Sequence, residues 1–132
     1  MTKVKICGIT NKEDALTAVR AGCHALGFVF HKKSPRFIEP SLAGDIIRKL
    51  PGSVRKVGVF VDGREKDIKK IAKTSGIDIL QFHGRESPEF CRRFKGYRVV
   101  KGFRVRPDTD WAEVSRYKTF GYLFDAWDKR AL

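Results

Sequence analysis

Cysteine is scarce in this chain: Cys7, Cys23 and Cys91 are the three among 132 residues. An odd number without framework spacing excludes a disulfide-stapled scaffold. Long apolar runs are missing as well, and none nears the ~20 residues a membrane helix needs. No secretory pattern opens the sequence, so a reducing cytoplasm is the expected setting. Low-complexity tracts and linkers are also absent, which leaves one domain over residues 1–132. Acid is in short supply. Fifteen Asp and Glu stand against 28 Lys and Arg, a formal net charge of +13. That balance favours anionic partners such as phosphorylated metabolites, nucleic acid or a membrane surface. The basic residues are nevertheless dispersed, in doublets such as Lys32-Lys33, Lys69-Lys70 and Arg92-Arg93. Doublets of that kind read first as solvated surface.

What the chain does have is alternation. With 42% hydrophobic residues there is enough material for a core. Strands are predicted over residues 4–7, 25–30, 56–61, 78–84, 98–103 and 120–125. Between them the apolar spacing turns helical. Asn11, with Asp14 three residues on, caps a first helix that stops at Ala21-Gly22. Leu42, Ile46, Ile47 and Leu50 mark a second, closed by Pro51-Gly52, and Ile68, Ile71 and Ala72 a third, closed near Gly76. Ser87-Pro88-Glu89 opens a fourth that carries Phe90 and Phe94. A fifth is predicted over residues 108–118, with Trp111, Val114 and Tyr117 at intervals of three. Strand–helix alternation calls for a parallel sheet with helical crossovers. Length favours an open doubly wound sheet, since a closed eight-stranded barrel usually takes at least ~200 residues.

Functional groups in such folds gather at the carboxyl ends of the strands. Those ends supply Cys7, the loop reaching Arg36, Asp62, His83, Arg104 and Asp125. Each has an ordinary explanation. A lone cysteine ending a strand is more often a small buried residue. Asp125 can cap a turn, His83 before Gly84 can be a satisfied loop histidine, and Arg36 can be one more solvated charge. As a set they offer more. A thiol and a carboxylate at one mouth can act as base and acid on a sugar carbon and its oxygen. An arginine beside them can grip a substrate carboxylate in two-pronged fashion.

The set also resembles a known family. Lys5-Ile6-Cys7-Gly8-Ile9-Thr10 is similar to the opening of the phosphoribosylanthranilate isomerases of tryptophan biosynthesis. The likeness continues through residues 25–30, Ser34-Pro35-Arg36, residues 57–61, Gln81-Phe82-His83-Gly84 and Phe124-Asp125-Ala126, in register along the chain. The resemblance implies a TIM (β/α)8 barrel, of which this chain holds about the first six strands and five helices. It implies an Amadori rearrangement of N-(5'-phosphoribosyl)anthranilate, an aminoaldose becoming an aminoketose. Cys7 is then the general base at C2′, Asp125 the general acid at the ring oxygen, and Arg36 the holder of the anthranilate carboxylate. His83 lines the site. Neither cofactor nor metal is implied, because proton transfers suffice.

Family chains follow the aspartate with a glycine-rich loop and phosphate-binding turns, whereas this sequence ends at Lys129-Arg130-Ala131-Leu132. A C-terminally incomplete barrel is therefore expected, with poor turnover by itself and open edges prone to self-association. The expected partner is a small phosphorylated substrate, with neither nucleic acid nor membrane. Two other readings stay open at this point. One is a second phosphosugar barrel such as indole-glycerol-phosphate synthase, which the cysteine ending the first strand argues against. The other is a non-catalytic basic fragment that binds nucleic acid or a partner chain.

Overall fold

The structure is a computed structural model that describes residues 1–127. Six strands and five helices alternate along it: β1 Lys5–Cys7, α1 Lys12–Arg20, β2 Ala25–Val29, α2 Pro40–Ile47, β3 Arg55–Phe60, α3 Glu65–Ser75, β4 Ile79–Phe82, α4 Pro88–Cys91, β5 Arg98–Val105, α5 Trp111–Val114 and β6 Gly121–Ala126. Every strand pairs in parallel with its neighbour in sequence, giving the order β1-β2-β3-β4-β5-β6. A doubly wound sheet reverses its strand order at a switch point. This one never reverses, so the open-sheet expectation gives way to a half-barrel of six strands.

The local causes are legible. Asn11 accepts from the Asp14 amide at 2.8 Å and starts α1. Ser87 does the same for the Phe90 amide at 3.1 Å, with Pro88 at the first helical position. Gly76, at φ 78°, ends α3 in the left-handed conformation. Three helices are shorter than predicted, the second ending at Ile47 ahead of Leu50. The fifth holds only Trp111–Val114, because Tyr117 is drawn inward to donate to the Glu86 carbonyl at 2.7 Å. The fourth ends at Cys91 and leaves Phe94 in a following turn.

The core lies on the outer face of the sheet, under the helices. Leu26, Phe28, Leu80 and Phe82 are wholly buried there beside Ala15, Ile46 and Ile68. Aromatic rings run across it: Phe30 to Phe60 at 5.4 Å, Phe60 to Phe82 at 6.3 Å and Phe82 to Phe94 at 4.9 Å. Offset and edge contacts of this kind add roughly 0.5–1.5 kcal/mol per pair beyond burial.

The sixth strand carries its aromatics on the surface. Phe120, Tyr122, Phe124 and Trp111 are all exposed, although Trp111 and Phe124 meet at 5.6 Å. The outer face of β6 is only partly covered, by Trp111 of α5 against Phe124.

Cys91 sits in the core at 6% exposure. Burial pushes its thiol from the ordinary 9.0 up to about 11, against the pull of nearby Lys101. The unfolded chain therefore loses this proton first. Its contribution to stability is intact below pH 9.0 and is lost as pH rises toward about 11. Melting temperature should thus fall across that window, and Cys91→Ala should flatten the fall. Equal slopes in thermal melts of the two proteins would show that Cys91 is not responsible.

Candidate active site

Side chains alternate across a strand, and registered partners in a parallel sheet share a face. Cys7 is registered with Gly27, and Arg104 with Asp125. Lys5, Cys7, Gln81, Arg104 and Asp125 thereby belong to the inner face, opposite the aromatic core. Cys7 is half-buried there at the end of β1. The turn after it is closed by the Gly8 and Ile9 amides, which both donate to the Gly27 carbonyl at 3.0 Å. Gly8 has φ 88°, and a β-carbon on it would stand 2.5 Å from Arg36 Nη1. Only glycine lets the arginine lie across this turn. Arg36 does so, and its Nη1 donates to the Cys7 carbonyl at 3.2 Å. The Arg36 amide in turn donates to Ser34 Oγ at 3.2 Å, which shapes the Ser-Pro-Arg loop.

At the other side of the face, His83 leaves β4 with its amide bonded to the Phe60 carbonyl at 2.9 Å. The ring rests against bare backbone, since a β-carbon on Gly102 would collide with Nδ1. Its Nε2 lies 3.4 Å from Asp125 Oδ2, and Gln81 Nε2 lies 3.4 Å from Nδ1. Lys5 Nζ donates to Gln81 Oε1. Lys5 and Gln81 sit three strands apart, about 14 Å in a flat sheet. Their contact requires the curl of a barrel. Burial draws the Lys5 ammonium below the ordinary lysine range, while negative charge on Cys7 opposes that draw.

A second network supports the mouth from the outer face. Lys101 and Glu86 are buried side chains whose Nζ and Oε1 stand 3.4 Å apart. Lys101 donates to the Gly84 and Gly102 carbonyls, each at 2.9 Å. Glu86 accepts from the Gly84 amide through Oε1 and from the Asp62 amide through Oε2, both at 2.9 Å. Asp62 itself has φ 50°, an uncommon conformation for any residue but glycine. Its Oδ1 accepts from the Arg85 amide at 2.6 Å, which helps hold that turn. Loops after β3 and β4 are thus tied to β5 beneath His83. Beside them opens a cavity of about 760 Å³ that reaches His83, Arg85, Arg104 and Arg106.

The structure brings the four predicted site residues together as two pairs, Cys7 with Arg36 and His83 with Asp125, with Lys5 and Gln81 between them. Asp125 and Arg104 lie within their strands and not beyond them. Sequence reasoning missed what Lys101, Glu86, Lys5 and Gln81 do. A lysine inside the apolar run Val99-Val100-Lys101-Gly102-Phe103 was the available signal for the first. Residues 128–132, where a glycine-rich loop was expected to be lacking, lie outside the described residues. Among the described residues no group of three or more His, Cys, Asp or Glu is placed to hold a metal ion, and no helix is long and apolar enough to cross a membrane.

Known proteins are similar to this chain in sequence and fold. The sequence model of the family described as N-(5'phosphoribosyl)anthranilate (PRA) isomerase matches residues 4–130. N-(5'-phosphoribosyl)anthranilate isomerase of Geobacter sp. (strain M21) is 53% identical over 127 residues, 96% of this chain and 62% of its own length. That of Pelobacter propionicus is 47% identical over 131 residues, again 62% of its own length. The crystal structure of phosphoribosyl anthranilate isomerase from Thermotoga maritima superposes with a TM-score of 0.93 at 40% identity, over 97% of this chain and 63% of that one. A second isomerase structure, solved with reduced 1-(o-carboxyphenylamino)-1-deoxyribulose 5-phosphate, gives 0.92 at 41% identity, over 97% and 66%. The chain thus spans about 62% of the length of these curated relatives.

Lys101→Ala should cost roughly 3–5 kcal/mol, because it strands a buried carboxylate. Glu86→Gln should also destabilise, since an amide nitrogen must then face one of the two backbone N–H groups that the carboxylate accepts. Urea unfolding midpoints measure both. A loss below about 1 kcal/mol for Lys101→Ala, within the range of exposed pairs, would contradict the network's role.

Proposed function

The chain belongs to the N-(5'-phosphoribosyl)anthranilate isomerase family, and on that premise we propose that it rearranges N-(5'-phosphoribosyl)anthranilate to 1-(2-carboxyphenylamino)-1-deoxyribulose 5-phosphate in tryptophan biosynthesis. The observation that carries this reading is the inner face itself: a cysteine whose carbonyl takes an arginine at one side, a carboxylate beside a histidine at the other.

Asp125 gives its proton to the ribose ring oxygen. The C1′–O bond breaks, and its electrons stay with oxygen as the amino nitrogen forms a double bond to C1′. Cys7, as thiolate, then removes the proton from C2′, and the electrons of that C–H bond move back toward nitrogen. The resulting enol becomes the ketone by a further proton shift. Atoms and electrons balance within the substrate, so the chemistry calls on no external oxidant or reductant. The Lys5 ammonium on the same face offers a counter-charge to Cys7. Arg36 donates to the Cys7 carbonyl through Nη1, and its other N–H groups take the anthranilate carboxylate. His83 lines the site and holds Asp125. The thiol chemistry suits the reducing cytoplasm, and self-association through the edges of β1 and β6 belongs to the same reading.

Cys7→Ala and Asp125→Asn should each lower kcat by at least ~10²-fold, the scale of general acid–base catalysis, with circular dichroism unchanged. Arg36→Ala should raise KM more than it lowers kcat. Steady-state assays on the intact protein decide. Near-normal turnover in either of the first two variants removes the role given to that residue, and an unchanged KM removes Arg36 from the site.

A further inference from the structure

The contacts on the inner face fix more than position. Lys5, Gln81, His83 and Asp125 form a file from β1 through β4 to β6, and the direction of each contact can be worked out from its ends. An ammonium has donors and no acceptor. The Gln81 atom facing Lys5 Nζ must then be the carbonyl Oε1, as it is. That turns the amide nitrogen toward His83, where Nε2 stands 3.4 Å from Nδ1. An amide nitrogen only donates, so Nδ1 must carry the lone pair. The ring proton is left on Nε2, which is the atom 3.4 Å from Asp125 Oδ2. Gly102 beneath the ring completes the seat.

We propose that Lys5 and Gln81 are positioning residues that hold His83 as its Nε2–H tautomer, so that the ring donates to one oxygen of Asp125 and leaves the other free to deliver a proton. This rests on the reading of Asp125 as the general acid. With the proton on Nε2, 3.4 Å from Oδ2, the carboxylate formed on proton donation has a donor beside it. With the other tautomer, a lone pair would face that carboxylate. Lys5 also shares the inner face with Cys7, so one side chain acts toward both proton-transfer residues.

The direct test is the 15N spectrum of His83 in the intact protein, which separates a protonated ring nitrogen from a bare one. Wild type should show Nδ1 bare and Nε2 protonated. Gln81→Glu keeps the shape of the side chain and gives Lys5 an opposite charge, but it places an acceptor opposite Nδ1. The tautomer should invert, and kcat should fall roughly 10-fold or more, part of the ~10²–10⁴ that general acid catalysis supplies, with KM nearly unchanged. Lys5→Met releases the amide and should give a mixture of tautomers, whereas Lys5→Arg should keep the wild-type pattern. A wild-type ring protonated on Nδ1, or a tautomer unmoved in Gln81→Glu, overturns the inference. The spectrum needs no turnover. If the tautomer inverts while turnover of N-(5'-phosphoribosyl)anthranilate does not change, positioning of the acid is refuted although the hydrogen-bond order stands. A wild type that turns over no substrate, with the inversion intact, places the failure in the proposed reaction and not in the hydrogen bonding.

Discussion

The mouth of the half-barrel hangs on one buried ion pair, Glu86 with Lys101. Burying two charges is expensive, and such a pair persists when its remaining donors and acceptors are satisfied. Here the backbone satisfies them: Lys101 serves the Gly84 and Gly102 carbonyls, and Glu86 takes the Gly84 and Asp62 amides. These partners belong to the turns after β3 and β4 and to the middle of the adjacent β5. A pair of apolar residues of the same volume would fill the space, but it would leave those backbone groups without partners. The charges are there to organise loops, and the stability they add is secondary. His83 lies above this knot, so the order of the outer layer reaches the inner face through it.

The sheet keeps its two faces for different work. Outward, Leu26, Phe28, Leu80 and Phe82 bury completely against the helices and supply the hydrophobic drive. Inward, glycine and small residues line part of the curl, and polar side chains project among them. Gly8 and Gly102 do related jobs there: each is bare so that a functional side chain can come close, Arg36 over the first and His83 against the second. The apolar side of β6 breaks this division. Its aromatics contact one another, Phe103 and Trp111 of α5, yet they stay exposed.

Most of the architecture was readable before any coordinates. Six strands and five helices follow from the switch between near-continuous apolar runs and helical spacing, aided by caps at Asn11 and Ser87. Propensity overstated the second, fourth and fifth helices, and in the fifth the tertiary bond from Tyr117 to the Glu86 carbonyl overrode local spacing. Chain length alone pointed to an open sheet, whereas the residues at the strand ends and the family likeness pointed to the barrel order observed. Length constrains volume, whereas strand order is set by where each crossover returns, which no local pattern encodes.

By itself the sequence determined the alternation, the identity of the side chains at the strand ends, and a family likeness carried by Cys7, Arg36, His83 and Asp125. These are properties of residue type and order, so they survive in one dimension. Only the tertiary structure decided that Lys5 reaches Gln81 across three strands, that His83 faces Asp125, and that Lys101 is a buried partner of Glu86 and not another solvated cation. Each of these pairs is distant in sequence, and it meets only because the parallel register and the curl of the sheet bring those positions onto one face.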